Sequence, residues 1–150
     1  MAILVDTNIL LRSVQPHHPH YVVVERAFAN LRSGREPLVV SVQNLFEFWS
    51  VATRPAEREN GLGLSPELAA REMAAIKDLF PMLPEGVPLL DQWEQVVTTH
   101  RVSGKNSHDA RLVAAMQVHG IKQILTFNVS DFARYPDIRA LHPESAALPT

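Results

Sequence analysis

A chain of 150 residues lies near the commonest size of a single domain and can bury roughly 70% of its unfolded surface without staples. Its 46% apolar and 20% charged residues exclude wholesale disorder, and the lack of cysteine excludes disulfides, a thiol nucleophile and thiolate metal sites. With 14 Lys and Arg against 16 Asp and Glu, a net charge of −2, no global basic excess is present, so any nucleic-acid binding must rest on a local patch or a bridging metal.

Ile3-Leu4-Val5 reads as a short strand covered on both faces. The Met1 to Val5 run is too short and too uncharged for a signal peptide, and no run reaches the roughly 18 apolar residues of a membrane span; the expected location is cytoplasmic. Thr7 or Asn8 is placed to cap a short helix over Ile9-Leu10-Leu11. Pro16 and Pro19 bracket a histidine-rich loop. Tyr21, Val24, Phe28 and Leu31 follow at helical spacing, ended by Ser33-Gly34. Leu38-Val39-Val40 is a second strand, and Ser41 caps a helix carrying Val42, Leu45, Phe46, Trp49 and Ala52 as far as Pro55. After a polar loop over 54–64, Ser65-Pro66-Glu67 opens a helix with Leu68, Met73, Ile76 and Phe80 on its apolar side. Val87-Pro88-Leu89-Leu90 is a weak strand, demoted by its proline. Asp91 caps a helix with Trp93, Val96 and Val97. Ser107 caps another with Leu112, Val113 and Met116, ended by Gly120. Ile121 to Thr126 is a strand, and a last one is expected around Ile138 to Leu141.

Short apolar strands alternating with amphipathic helices predict one three-layer α/β domain over 1–150, with helices on both faces of a parallel sheet. Ligands of such sheets bind beyond the carboxyl ends of the strands, so the residues there matter most. Asp6 follows the first strand, as a turn or cap residue or as a metal ligand or nucleophile. Glu47 stands among apolar Leu45, Phe46, Phe48 and Trp49. It is either a member of a narrow solvent-facing stripe with Gln43 and Ser50 or a buried charge in need of a partner. Asp109 suits the helix dipole at the start of its helix, yet also lies on the side of Leu112 and Val113. Asn128 and Asp131 follow the strand ending at Thr126, and Asp131 also suits a turn before Phe132. Four carboxylates near the strand ends form an all-oxygen set of the kind Mg²⁺ and Mn²⁺ take. At an effective dielectric near 20, each close pair would cost on the order of 2–4 kcal/mol without a cation.

Val5-Asp6-Thr7-Asn8-Ile9-Leu10, Asn44-Leu45-Phe46-Glu47, Lys105-Asn106-Ser107-His108-Asp109-Ala110 and Leu125-Thr126-Phe127-Asn128-Val129-Ser130-Asp131-Phe132, in that order, resemble the four acidic motifs of the PIN domain. In particular, the chain resembles the small single-domain VapC-type ribonuclease toxins of bacterial toxin–antitoxin pairs. The resemblance spans roughly residues 2–143 and implies a PIN-like α/β/α fold with a parallel sheet of about five strands. It implies Mg²⁺- or Mn²⁺-dependent hydrolysis of RNA, with Asp6, Glu47, Asp109 and Asp131 as catalytic acids and Asp6 and Asp109 as metal ligands. Thr7, Asn8, Ser107, Thr126 and Asn128 match the polar surroundings of those acids, and the resemblance leaves open whether Asn128 or Asp131 completes the set. It further implies a homodimer and a cognate antitoxin. Arg12, Arg54, Lys105 and Arg134 lie near the motifs, as phosphate contacts or as solvated charge.

Other classes fit less well. A haloacid-dehalogenase-type phosphatase would carry a second Asp where Asn8 stands, and Gly61-Leu62-Gly63 lacks the Lys-Ser or Lys-Thr of a phosphate loop. A receiver-type binding module needs an early acidic pair and a mid-chain acceptor, neither present in that pattern. An RNA-processing nuclease outside a toxin pair, or a non-catalytic α/β binding module, remains the alternative. His17, His18 and His20 read as a solvated loop, His108 as surface, and Trp49 and Trp93 as core. Tyr21, Met73 and Phe80 are expected as exposed apolar edges of their helices.

Overall fold

A computed structural model describes residues 1–148. Five strands form one parallel sheet: β1 (Ile3–Val5), β2 (Leu38–Ser41), β3 (Met82–Leu83), β4 (Gln123–Leu125) and β5 (Arg139–Leu141), in the order β3-β2-β1-β4-β5. The helices are α1 (Thr7–Ser13), α2 (Tyr21–Ser33), α3 (Val42–Ala52), α4 (Pro66–Leu79), α5 (Pro88–Thr99), α6 (Asn106–Val118) and α7 (Pro143–Ala146). Strand alternation divides the core. Ile3, Val5, Leu38, Val40 and Leu125 face α1 to α4 and α7, whereas Leu4, Val39 and Ile124 face α5 and α6. Both faces of β1 are thus covered, which accounts for its continuous apolar run.

The expected α/β/α layering holds, with corrections in detail. Val87 to Leu90 is not a strand. Pro88 occupies the first turn of α5, where its missing N–H and fixed φ cost nothing, and the edge strand is Met82–Leu83. Asp91 lies within the first turn of α5 rather than capping it. Asp6, not Thr7 or Asn8, caps α1, its carboxylate accepting the Thr7 N–H. Ser107 lies inside α6, which starts at Asn106 without a side-chain cap. Gly120, at φ +69°, turns the chain out of α6 in the left-handed conformation open to glycine, and the Ile121 N–H returns to the Met116 carbonyl at 2.8 Å.

Burial also departs from the periodic reading in places. Phe46 is 68% and Leu68 48% exposed, leaving α4 to bury Ala69 and Ile76. Phe80 is no exposed edge: it is 2% exposed and meets Phe28 edge-on at 5.4 Å. Met73 packs half-buried against the core, and Tyr21 is half-buried. The histidine loop is solvent-exposed at His17 and His20, as expected, and leans on the segment after β4. His20 stacks on Phe127 at 4.8 Å and His18 lies tilted against His20 at 5.1 Å. Trp49 and Trp93 pack half-buried against the two halves of the core, as expected. Among the described residues no helix is long and apolar enough to cross a membrane.

Candidate functional site

The chain leaves β1 toward β2 on one side and returns later to β4 on the other, so the topological switch falls between β1 and β4. Crevices of α/β sheets open at such a point, beyond the strand ends. Asp6 is the first residue after β1 and Thr126 the first after β4. The ladder continues between them, with the Asp6 N–H donating to the Leu125 carbonyl at 3.0 Å.

Asp6 is buried, and each of its carboxylate oxygens is engaged. Oδ1 accepts from the Thr7 N–H at 2.8 Å, and Oδ2 accepts from the Thr126 hydroxyl at 2.8 Å and from Asn8 Nδ2 at 3.4 Å. Thr126 Oγ1 in turn accepts from Asn8 Nδ2 at 3.2 Å and from the Asn128 N–H at 3.0 Å, while Asn8 Oδ1 accepts the Phe127 N–H at 3.2 Å. Asn8 therefore ties the start of α1 to the β4 loop, and Asn128 enters through its backbone.

Glu47, half-buried on α3, is not part of a solvent-facing stripe. Its Oε2 accepts from the Thr7 hydroxyl at 3.0 Å and its Oε1 from Gln43 Nε2 at 2.6 Å. The fully buried Asn44 donates to Thr7 Oγ1 at 3.1 Å, and its Oδ1 accepts from the backbone and the hydroxyl of Ser41. Ser41 and Asn44 form a reciprocal capping box at the head of α3, which also aims that helix so that Glu47 faces Thr7.

Asp109 is half-buried in the first turn of α6, and Asp131 is exposed in a 3₁₀ turn over Val129–Phe132. Their charges reach the others. Burial, above all, pushes the Asp6 carboxyl up to about 6, against the pull of its Thr126 and Thr7 hydrogen bonds and with added push from Glu47 and Asp109. Burial likewise pushes Asp109 up to about 6, with Asp131 and Glu47 adding to the rise and His108 and Arg134 opposing it. The four acids thus share one electrostatic field around the crevice.

Among the described residues no three of the His, Asp and Glu side chains converge into a ready-made cation cage. The donor set nonetheless fits a hard divalent cation. It is all oxygen, and it centres on a buried carboxylate already held in place by a threonine hydroxyl and a backbone N–H.

Ser107 contributes its backbone carbonyl, which accepts the Trp93 indole N–H at 3.0 Å. Of the basic residues near the motifs, Arg134 acts on Asp109, while Arg12 donates to Gln15 Oε1 and Arg54 to the Glu59 carbonyl. Sequence reasoning missed three members of the network: Gln43, Asn44 and Arg111. Gln43 lies one helical turn before Glu47 and Asn44 three residues after Ser41, spacings that contain the signal. Arg111, which donates to Gln43 Oε1 at 2.9 Å, carried none.

The fold and site thus define a three-layer α/β/α domain with acidic side chains at the switch point of a parallel sheet. The chain matches the PIN domain over residues 3–138 and belongs to that family. It is 26% identical over 145 residues to Ribonuclease VapC24 of Mycobacterium tuberculosis, a match covering 93% of this chain and 94% of that protein. The fold resembles VapBC2 of Rickettsia felis, solved bound to a DNA fragment from its promoter, with a TM-score of 0.70 and 13% identity over 95% of this chain and 98% of that one. It also resembles Mycobacterium tuberculosis VapC20, a sarcin-ricin loop cleaving toxin, with a TM-score of 0.66 and 21% identity over 92% and 99% of the two chains.

Proposed function

We propose that the protein is a Mg²⁺- or Mn²⁺-dependent endoribonuclease acting in the cytoplasm as the toxin of a toxin–antitoxin pair. The observation that carries this reading is the buried Asp6 carboxylate at the switch point, fixed by Thr7 and Thr126 and sharing its field with Glu47 and Asp109. The relation to the VapC ribonucleases supports RNA as substrate and an antitoxin as partner.

Asp6 and Asp109 would hold the cation, with Glu47 and Asp131 beside it. A cation held there would supply Lewis acidity, easing deprotonation of water and offsetting charge that develops on the phosphate oxygens. Thr7 and Thr126 keep Asp6 in one orientation throughout. Glu47, its two oxygens pinned by Thr7 and Gln43, would orient the attacking water and accept its proton as the water oxygen bonds to phosphorus and the opposite P–O bond breaks, the departing oxygen taking a proton from solvent. Arg134, close enough to act on Asp109, is the cation best placed to meet the substrate phosphate.

Purified protein should cut single-stranded RNA with Mg²⁺ or Mn²⁺ and stop in excess chelator; cutting that persists in chelator, free of contaminating nuclease, refutes the mechanism. Expression of the protein alone should arrest growth, and co-expression of a cognate antitoxin should restore growth and yield a complex. A homodimer is the proposed state of the free protein, and light scattering that finds a monomer at tens of micromolar would exclude it.

A further inference from the structure

Gln43 is nearly buried, 7% exposed, and every polar atom of its amide has a partner. Nε2 donates to Glu47 Oε1 at 2.6 Å and to the His108 carbonyl at 2.9 Å, while Oε1 accepts from the Arg111 guanidinium at 2.9 Å. A flipped amide would set its oxygen against two acceptors and its nitrogen against a cation, so only this orientation satisfies the network. The two acceptors have distinct importance. One is the carboxylate of Glu47 on α3; the other is the backbone carbonyl of the residue immediately before Asp109 on α6. A single NH₂ group therefore spans the two helices that carry two of the four acids. Arg111, on α6 itself, closes the loop and is anchored on its far side by Glu85 at 2.6 Å, in the segment joining β3 to α5.

We propose that Gln43 is a positioning residue that sets the separation and orientation of Glu47 and Asp109, and that Arg111 acts on the site through Gln43. The inference rests on the nuclease reading above and assigns roles that the four acidic motifs do not contain. Glu47 and Asp109 stand on different helices, so the spacing at which they face a cation depends on what joins α3 to α6, and Gln43 makes that join. A strut between them raises affinity by reducing what must be ordered on binding.

The test uses the full chain with Mn²⁺ as probe, in Gln43→Met, Arg111→Met and the double variant, each checked for cooperative melting. Gln43→Met keeps length and apolar bulk and removes all three hydrogen bonds. It should raise the Mn²⁺ dissociation constant, read by electron paramagnetic resonance on metal-free protein, by about tenfold. It should also lower kcat for RNA cleavage while leaving the KM for RNA in place. Arg111→Met should act in the same direction and less strongly, and should add nothing in the Gln43→Met background, since its path to the site is already cut. A folded Gln43→Met protein with wild-type Mn²⁺ affinity and kcat overturns the proposal, and additive effects in the double variant overturn the role given to Arg111. If Gln43→Met fails to fold, the half-exposed Arg111 carries the test, and wild-type behaviour of Arg111→Met then counts against the strut. A wild-type protein that neither binds Mn²⁺ nor cleaves RNA overturns the nuclease reading instead, and this inference with it.

Discussion

Replacing Asp6 by asparagine should raise the melting temperature of the metal-free protein at neutral pH and lower it in acid. The folded state holds the Asp6 carboxyl at about 6 against an ordinary 3.8. Its pKa is raised on folding, so the folded protein binds the proton more tightly than the unfolded chain. The associated stability is present in full below 3.8 and is lost as pH rises toward 6. The step from 3.8 to about 6 corresponds to roughly 3 kcal/mol lost by pH 7.5. Asparagine abolishes that loss and still caps α1, being as good a cap as aspartate. It gives up both bonds made at Oδ2, the 2.8 Å one from Thr126 and the long 3.4 Å one from Asn8, because an amide nitrogen there cannot accept and Thr126 Oγ1 already accepts from Asn8 and Asn128; that costs about 1 kcal/mol, nearly all of it the shorter bond. The net gain of about 2 kcal/mol at pH 7.5 corresponds to a rise of roughly 4–8 °C for a domain of this size. Below pH 3.8 both proteins are neutral at this position, and the variant should melt about 2–4 °C lower. Differential scanning calorimetry of both proteins in chelator, from pH 3.5 to 7.5, reads the crossing directly. A variant that melts below wild type at every pH refutes the claim that burial and neighbouring acids destabilise Asp6.

Asp6→Asn and Asp109→Asn should each lower metal-dependent RNA cleavage by at least about a hundredfold while the protein still melts cooperatively; a cleavage assay with a labelled oligonucleotide checks this. Mg²⁺ at about a hundred times its dissociation constant should stabilise wild type by about 2.7 kcal/mol, and Asp109→Asn should lose most of that shift in the same thermal scan. Asn44→Ala leaves the Ser41 N–H and Thr7 hydroxyl without their partner and should cost about 1–3 kcal/mol in urea unfolding, with a fall in cleavage as the hold on Glu47 loosens. Phe132→Ala, which empties a fully buried position beneath the β4 loop, should cost about 3–5 kcal/mol in the same measurement.

What could be read from the sequence follows from where the physics is local. Ile3 to Val5, Leu38 to Val40 and Ile124 to Leu125 announce themselves because burial on both faces demands an unbroken apolar run, and Asp6 is conspicuous because a charge ends such a run. Met82–Leu83 has no such signature. It is a two-residue edge strand between Pro81 and Pro84, exposed or half-buried along its length. Val87 to Leu90 carries more apolar surface than this true strand, yet Pro88 starts a helix there. In the site, the ambiguity over Glu47 came from reading α3 as one face in solvent. The resolving fact is a Gln43 contact to His108 across 65 residues of chain, which no helical periodicity encodes. Asn44 was within reach, since Ser41-x-x-Asn44 is a local pattern; Arg111 was not, because its role exists only once α6 lies beside α3.

The sheet order also sets a schedule for synthesis. Asp6 is made well before its Oδ2 partner Thr126, which follows 120 residues later, and β1 can be flanked on both sides only when β4 has joined it. Contacts of such sequence separation form late. A nascent chain that has made β1, β2, α3 and even Asp109 still has an open crevice, with Asp6 unpinned and β1 exposed along one edge. The centre therefore closes only after β4 and the Thr126 that follows it have left the ribosome, so a polysome translating this message would display incomplete chains without an assembled acidic centre.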